Sequence, residues 1–288
     1  MNDVEIKAVV GSITVHHDEA RIKQRRVLEA FKSLLRPLNR KIRAEFKKWW
    51  RKACYAVYGV EPLTEAACLS RESSLKPEMY FLQIGAHDGK TDDHLREFVI
   101  KNRMKGILVE PVPILFQRLK ENYRNQDGLF FENKAIAPAS GTRTFYRLRD
   151  NTDGLPHWYD QLGSFHKHIV LKHKVDIPNI EDYLLEEQVE CVSVSDLLQR
   201  YAIPRVDIML IDCEGYDYEI LRTIDFIECS PQLIVYEEKH LLGPDARLCR
   251  KLLRNHGYCV INVGANAVAV RRPLMGRMEN YLSFIIDY

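Results

Sequence analysis

Short apolar runs alternate with longer amphipathic stretches from residue 79 onward. Seven runs stand out: MYFLQIG, GILVE, LFFENKAI, VDIMLID, QLIVYEE, YCVINV and AVAVR. Between them, the spacing of apolar positions predicts helices at 92–102, 113–125, 216–227 and 244–256. Such alternation is typical of parallel strands joined by right-handed crossovers. The pattern therefore predicts an α/β fold with a doubly wound, mostly parallel seven-stranded sheet, whose ligands lie beyond the carboxyl ends of its strands.

The first 78 residues have a different pattern and a different charge. Apolar positions recur every three or four residues over 18–58, which predicts helices divided at Pro37. Residues 1–60 hold fourteen Lys and Arg against six Asp and Glu, whereas the rest of the chain is net acidic. We interpret 1–78 as a basic helical extension and connector, and 79–288 as the catalytic domain. The extension either caps that domain or another copy of the chain, or lies on a membrane surface through Trp49 and Trp50.

Three further features bear on the class of protein. The acidic body argues against a nucleic-acid partner. The seven cysteines form no CxxC pair and lie mostly in apolar runs, which indicates buried reduced thiols. The N-terminus lacks the pattern of a signal peptide, and no run reaches the roughly 20 apolar residues of a membrane span. We therefore expect a cytoplasmic protein.

Residues 149–190 interrupt the alternation with aromatic, histidine-rich and acidic sequence. An insertion at this point, before a strand expected around 189–194, would lie above the sheet edge where a substrate enters. We predict that it forms a lid, and that Gly163-Ser164-Phe165 contributes to an aromatic and histidine-lined mouth. The histidines at 157, 166, 168 and 173 have no zinc-ligand spacing and are expected to face substrate or solvent.

The first strand runs directly into Gly85-Ala86-His87-Asp88-Gly89 and then into a helix. Glycine there lets the backbone approach a ligand, and the helix start offers free N–H groups. The G-x-G-x-x-G pattern of dinucleotide sites is absent, which argues against NAD. The next strand ends at Glu110, whose carboxylate can accept both hydroxyls of a ribose. Together these features favour a nucleotide-like cofactor.

The segments FLQIGAHDGKTDD, LVEPVP, NKAIA and VDIMLIDCEGYDYEIL resemble, in order and spacing, the motifs of FkbM-like methyltransferases over about residues 79–262. The resemblance implies a class I, Rossmann-like fold and S-adenosylmethionine as cofactor. It further implies that the first motif cradles the cofactor, that the acid holds its ribose and that the third segment flanks its adenine; the matching residues are Gly85, Ala86, Asp88, Gly89, Glu110, Ala135 and Ile136. The chain departs from the usual pattern at Gln83 and His87.

The run Ile211-Asp212-Cys213-Glu214-Gly215 follows the fourth parallel strand. It resembles the D-x-E-G signature of the same family rather than the N/D-P-P-Y motif of enzymes that methylate amino groups of DNA. Asp212 is therefore expected to hold the methionine end of the cofactor, a divalent metal, or both, and Glu214 to bind a substrate hydroxyl or a metal. The alternative is that both acids only cap the next helix.

The fifth parallel strand ends in Glu237-Glu238-Lys239-His240. Methyl transfer to oxygen requires alignment of the nucleophile and removal of its proton. His240 is the natural base by its ordinary pKa, whereas Glu238 and Asp212 could instead form an oxygen-ligand site for Mg²⁺. His240 could also lie outside the site, in the following loop.

The main hypothesis from the sequence is an O-methyltransferase with Glu214, Glu238 and His240 as candidate catalytic residues. The resemblance implies acceptors such as hydroxyls of sugars, glycans or natural products. One alternative is a methyltransferase-like protein that has lost turnover and serves as a binding scaffold; another, an NAD-dependent oxidoreductase, is disfavoured by the missing glycine pattern. The sequence leaves open whether the chain forms a homo-oligomer.

Overall fold

A computed structural model describes residues 79–91, 93, 95–150, 154–241, 243–263 and 265–271. The predictions made for the basic extension, 1–78, lie outside these residues, as do Cys54 and Cys68. The strands are, in chain order, β1 (Tyr80–Ile84), β2 (Lys105–Val109), β3 (Leu129–Glu132), β4 (Ala135–Ile136), β5 (Gly141–Leu148), β6 (Gly163–Ser164), β7 (Leu184–Val192), β8 (Ile208–Ile211), β9 (Leu233–Glu237), β10 (Tyr258–Val263) and β11 (Asn266–Arg271). The helices are α1 (Arg96–Asn102), α2 (Pro113–Asn122), α3 (Lys167–Leu171), α4 (Val194–Arg200), α5 (Asp217–Leu221) and α6 (Gly243–Asn255).

The predicted seven-stranded, mostly parallel sheet is confirmed. Its strand order is β10-β11-β9-β8-β1-β2-β3, and the five strands from β9 to β3 pair in parallel. Strand β11 is antiparallel to both of its neighbours. The chain moves outward from β1 to β3 in one direction and from β8 to β9 in the other, so the order reverses between β1 and β8. Ligands of open α/β sheets bind at such a switch point.

The central strands are apolar because neighbouring elements cover both of their faces. Phe81, Leu82 and Ile84 of β1 are each at most 1 % exposed. Ile107 of β2 and Met209 of β8 have no exposed surface and lie in the core of the sheet. The continuous apolar runs that identify these strands in the sequence therefore reflect burial on both faces of the sheet.

A second, four-stranded sheet was not predicted. Its order is β4-β7-β5-β6, and β5 and β7 form a long antiparallel pair. The run LFFENKAI, expected to be one strand, divides here: β3 ends at Glu132, and Ala135–Ile136 pairs with β7 as β4. The strand expected around 189–194 is present but begins at Leu184 and ends at Val192. Polar residues alternate through β5 and β7, so neither strand has a continuous apolar run.

Part of the predicted insertion has a small core of its own. Between β5 and β7 lie three 3₁₀ helices, at Tyr159–Gln161, Lys172–Val175 and Ile180–Tyr183, together with β6 and α3. The buried side chains of this segment pack with the end of β5; they are Leu148, Leu162, Val170, Ile177 and Ile180. The last part of 149–190 belongs to β7 rather than to the insertion.

The remaining predictions concern the helices, the cysteines and membrane-spanning segments. The four predicted helices are present, but α5 stops at Leu221, well before the expected residue 227. Cys191, Cys229 and Cys249 are free and buried, as expected, and Cys213 is free and partly buried; Cys259 is also partly buried. In the part of the chain that the structure describes, none of the helices combines the length and the apolar character needed to cross a membrane.

Asp207 joins three strands at the amino end of the sheet and should be important for stability. The side chain is 3 % exposed and accepts hydrogen bonds from Tyr80 N at 2.9 Å and Gln232 Nε2 at 3.3 Å. We expect Asp207→Ala to lower the free energy of unfolding by about 1–3 kcal/mol, because it leaves buried donors without an acceptor. Urea unfolding measures the change. The exposed Asp127→Ala is the control, and equal stabilities of the two variants would contradict the assignment.

Candidate functional site

The turn after β1 is fixed by a close backbone approach that requires glycine. Gly85 has φ +76°, and a Cβ at this position would lie 1.8 Å from the carbonyl oxygen of Asp212. The backbone N–H groups of Gly85 and Ala86 both donate to the carbonyl of Val109, each at 3.0 Å. The turn is therefore held between the ends of β2 and β8, at the switch point of the sheet.

A cleft of about 460 Å³, open to solvent, lies beyond the carboxyl ends of β1, β2 and β8. Its lining includes five of the residues predicted to bind a cofactor: Gly85, Glu110, Ala135, Ile136 and Asp212. It also includes residues for which no role was predicted, among them Lys134, Phe145, Gln161, Cys213 and Tyr216.

Glu110 is presented at the tip of β2 as the sequence predicts. Its side chain accepts hydrogen bonds from His87 N at 2.9 Å and from Val112 N at 2.8 Å, and the residue is 2 % exposed. Burial raises the pKa of Glu110, and the opposing charge of His87 only partly offsets this. One backbone donor on each oxygen fixes the carboxylate and leaves lone pairs to accept further hydrogen bonds.

Ala86, Asp88 and Gly89 differ from the prediction, because they are not among the residues that line the cleft. Asp88 accepts hydrogen bonds from Lys90 N at 2.9 Å and Thr91 N at 2.7 Å. A Cβ on Gly89 would lie 2.3 Å from a methyl carbon of Leu119. Asp88 and Gly89 thus shape the turn and its packing on α2, and Ala86 is buried beneath it.

A cluster of acids and histidines follows β8 and β9. Glu214 stands in the turn after β8 with φ +46°. The Nδ1 atom of His240 lies 2.5 Å from Glu214 Oε2 and 2.9 Å from Glu237 Oε2. Burial lowers the pKa of His240, but the two carboxylates outweigh it and raise the pKa to about 10. Burial raises the pKa of Glu214, but His240 more than offsets this and keeps it below its ordinary value. An imidazolium between two carboxylates is therefore the stable state at neutral pH.

Two of the predicted catalytic residues need correction. His240 lies beside Glu214, but with a pKa of about 10 it keeps its proton at neutral pH, so the argument that its ordinary pKa makes it the base is wrong. Glu238 is directed elsewhere: Arg250 Nε donates to Glu238 Oε1 at 2.7 Å, and Asn262 donates to its other oxygen. Because side chains alternate along a strand, Glu237 and not Glu238 reaches the cluster.

Two overlapping groups in this cluster have the composition of metal ligands. Ligand atoms of Asp212, Glu214 and Glu237 lie within 4.8 Å of one another, and so do those of His173, Glu214 and His240. Asp217, behind them, has no exposed surface and accepts a hydrogen bond from Glu237 N at 3.0 Å. Burial, reinforced by the charges of Asp212 and Glu237, raises the pKa of Asp217 well above its ordinary value.

Aromatic side chains form the mouth of the cleft. The ring of Phe165 packs edge-on against Tyr216, with centroids 4.7 Å apart, and against Phe145 at 5.4 Å. The guanidinium of Arg143 lies 4.5 Å from the centroid of Phe165. Ser164 Oγ donates to the carbonyl of Glu214 at 2.8 Å, which fixes the insertion against the turn after β8. Phe165 stands in the predicted mouth, whereas Arg143 and Phe145 come from a strand that was not predicted.

Comparison with known proteins identifies the family. Residues 83–260, more than half of the chain, match the family model described as the methyltransferase FkbM domain. The chain belongs to the FkbM methyltransferase family. This agrees with the resemblance of its motifs and with the α/β sheet.

The FkbM-family domain is also similar to solved structures. An FkbM methyltransferase from Methylobacillus flagellatus KT shares 11 % identity, with 72 % of this chain covered and a TM-score of 0.43, and the match spans about half of that protein, 48 %. Fibrillarin from Aeropyrum pernix, in complex with natively bound S-adenosyl-L-methionine, shares 13 % identity over 68 % of this chain and 66 % of its own, with a TM-score of 0.36. No curated protein sequence matches the chain.

The charge of His240 in this FkbM-family domain predicts a pH dependence. Because its pKa rises on folding from 6.5 to about 10, the imidazolium stabilises the fold fully below pH 6.5, and this contribution is lost as the pH rises through 10. We therefore expect wild type to lose stability relative to His240→Gln between pH 6.5 and 10. Urea unfolding in the presence of a chelator measures the difference. A difference that does not change with pH would contradict the ion pairs.

Proposed function

We propose that this domain transfers a methyl group from S-adenosylmethionine to a hydroxyl oxygen of a sugar, glycan or natural-product acceptor. The observation that carries the proposal is the pair of acids after β8. Asp212 lines the cleft, and Glu214, two residues later, is kept ionised by the imidazolium of His240. Carboxylates at this point can orient a hydroxyl and accept its proton.

The residues of the cleft fit the chemistry of S-adenosylmethionine. Gly85 lines the cleft and holds the first turn against the end of β8, since its Cβ position is filled by the carbonyl of Asp212. Glu110 would hold the ribose hydroxyls through its remaining lone pairs. Ala135 and Ile136, buried and at the cleft, would flank the adenine. When bound, the cofactor supplies an electrophilic methyl group on a sulfonium, so the protein's task is to align the acceptor and remove its proton.

The acceptor hydroxyl is placed between Asp212 and Glu214 in this proposal. The imidazolium of His240 does not take the proton; it keeps Glu214 charged and fixed, while Glu237 balances the charge from the other side. One of the two carboxylates would accept the hydroxyl proton as the methyl group passes from the sulfonium sulfur to the oxygen. The aromatic ring of Phe165 and the side chain of Gln161 line the side of the cleft from which the acceptor enters.

The three carboxylates Asp212, Glu214 and Glu237 do not fit Mg²⁺ as they stand. Their oxygens are close enough together, but the Nδ1 atom of the protonated His240 lies 2.5 Å from Glu214 Oε2 and 2.9 Å from Glu237 Oε2. Mg²⁺ binds oxygen ligands in near-ideal octahedral geometry and does not replace a proton on an imidazole. We therefore expect methyl transfer without added Mg²⁺.

Cofactor binding gives a direct test. We expect calorimetric binding of S-adenosylmethionine to the full chain, with affinity reduced at least about tenfold in Glu110→Gln because the ribose loses a charged acceptor. The matched control is Glu186→Gln, an exposed acid on β7 away from the cleft. NAD should not bind. Absence of S-adenosylmethionine binding, or equal binding by both variants, would remove the basis for the proposal.

Turnover tests the acceptor chemistry. We expect Asp212→Asn and Glu214→Gln each to lower kcat by about 10²-fold or more, since each removes a carboxylate from the acceptor hydroxyl. Release of S-adenosylhomocysteine over a panel of sugars, glycosides and phenols, with and without Mg²⁺, is the measurement. Glu181→Gln, an exposed acid in the insertion, is the control. Binding of the cofactor without turnover on any hydroxyl would instead favour the scaffold alternative.

A further inference from the structure

We propose that His173, Glu214 and His240 form a site for a divalent transition metal of the Zn²⁺ type, which joins the insertion to the carboxyl end of the sheet. The three residues come from separate parts of the chain: a 3₁₀ helix of the insertion, the turn after β8 and the loop after β9. One ligand atom from each lies within 4.8 Å of the other two. The inference concerns the metal-bound protein, in which Glu214 and His240 are ligands, whereas the proposed function concerns the metal-free protein; it does not depend on which acceptor is methylated.

Two of the three ligand atoms are buried without a hydrogen-bond partner. His173 Nε2 and Glu214 Oε2 are shielded from solvent, and neither makes a hydrogen bond to the described residues. Glu214 Oε2 lies 2.5 Å from His240 Nδ1, but outside hydrogen-bond geometry. Buried polar atoms are nearly always satisfied, because an unpaired one costs free energy. A cation between them would satisfy both atoms at once.

The positions of the ligands are set by well-packed neighbours. The carbonyl of His173 accepts a hydrogen bond from Ile177 N at 2.8 Å, and Ile177 is fully buried in the core of the insertion. The ring of His173 lies between Trp158, at 5.4 Å between centroids, and His240, at 5.2 Å. Packing restricts the conformational freedom of these rings, so a metal would need to immobilise them only a little further.

The turn that carries Glu214 is equally constrained. A Cβ on Gly215 would lie 3.1 Å from the carbonyl of His240 and 3.3 Å from the side chain of Ile169 in α3. Ser164 also donates to the carbonyl of Glu214. Packing alone therefore brings the sheet and the insertion together at this turn. A bound metal would add a further link across this existing contact.

The donor set selects the class of metal. Two imidazoles and one carboxylate suit Zn²⁺ and related transition metals, usually with a water as the fourth ligand. Tetrahedral ligands at about 2.0–2.1 Å from Zn²⁺ lie about 3.4 Å apart, so the side chains need to move by only about 1 Å. The ion takes the place of the imidazole proton of His240, which is released to solvent. Mg²⁺ prefers oxygen ligands and does not suit a set that contains two imidazoles.

Titration of the full chain, previously treated with a chelator, tests the site. We expect Co²⁺ to bind with one equivalent and to give the visible absorption of a four-coordinate site, and Zn²⁺ to displace it. His173→Gln should weaken Zn²⁺ binding at least about tenfold, since it removes one of three ligands. His168→Gln is the matched control, because this histidine is exposed in the same segment and lies outside the cluster.

Hydrogen exchange separates a bridging metal from a metal bound elsewhere. Zn²⁺ should slow amide exchange at 166–177 in wild type and not in His173→Gln, because only a ligand from the insertion couples that segment to the sheet. Comparing wild type with and without Zn²⁺ keeps the result independent of the folding of any variant. Zn²⁺ binding unchanged by His173→Gln, binding of Mg²⁺ in place of Zn²⁺, or no metal binding would each overturn the proposal. Cofactor affinity, measured separately, reports on the proposed function.

Discussion

The close approach of β1 and β8 is the constraint on which the site depends. Where Gly85 passes the carbonyl of Asp212, no side chain can be accommodated, and the positive φ of this residue turns the chain across the end of the sheet. This single contact places the first turn, the tip of β2 and the acids after β8 around one cleft. Any residue larger than glycine would separate β1 from β8 and move Asp212 away from Glu110.

Charge compensation is the second determinant of the site. Four acids converge because they lie at or just after the ends of two neighbouring parallel strands, β8 and β9, which end at the same edge of the sheet. These acids are Asp212, Glu214, Asp217 and Glu237. Their mutual repulsion is reduced in two ways: His240 contributes a positive charge between Glu214 and Glu237, and burial raises the pKa of Asp217. The arrangement keeps Glu214 ionised although most of its side chain is shielded from solvent.

The sequence predicts the central sheet well because burial on two sides produces continuous apolar runs. It also predicts that Gly85 and Glu110 lie at the cleft, because each directly follows a strand that such a run identifies. It does not show which of Glu237 and Glu238 points into the acidic cluster. Neighbouring side chains of a strand point in opposite directions, so an error of one residue in the end of β9 reverses the answer. The sequence also misses β5 and the first part of β7, whose exposed faces carry Thr, Arg and Glu. Arg143, Phe145 and the contact between Ser164 and Glu214 follow from that second sheet, so no linear pattern could have indicated them.

His173 shows most clearly what the three-dimensional structure adds. In the sequence it is one of several histidines without metal-ligand spacing, and the nearest member of its cluster, Glu214, is more than forty residues away. A metal site assembled across a domain leaves no spacing signature, because the ligands are brought together by packing rather than by one helix or loop. The small core around Ile177 holds the insertion in a fixed shape, and the turn at Gly215 presses against it. The insertion is thus packed against the turn that carries Glu214, and a lid motion would require that contact to break.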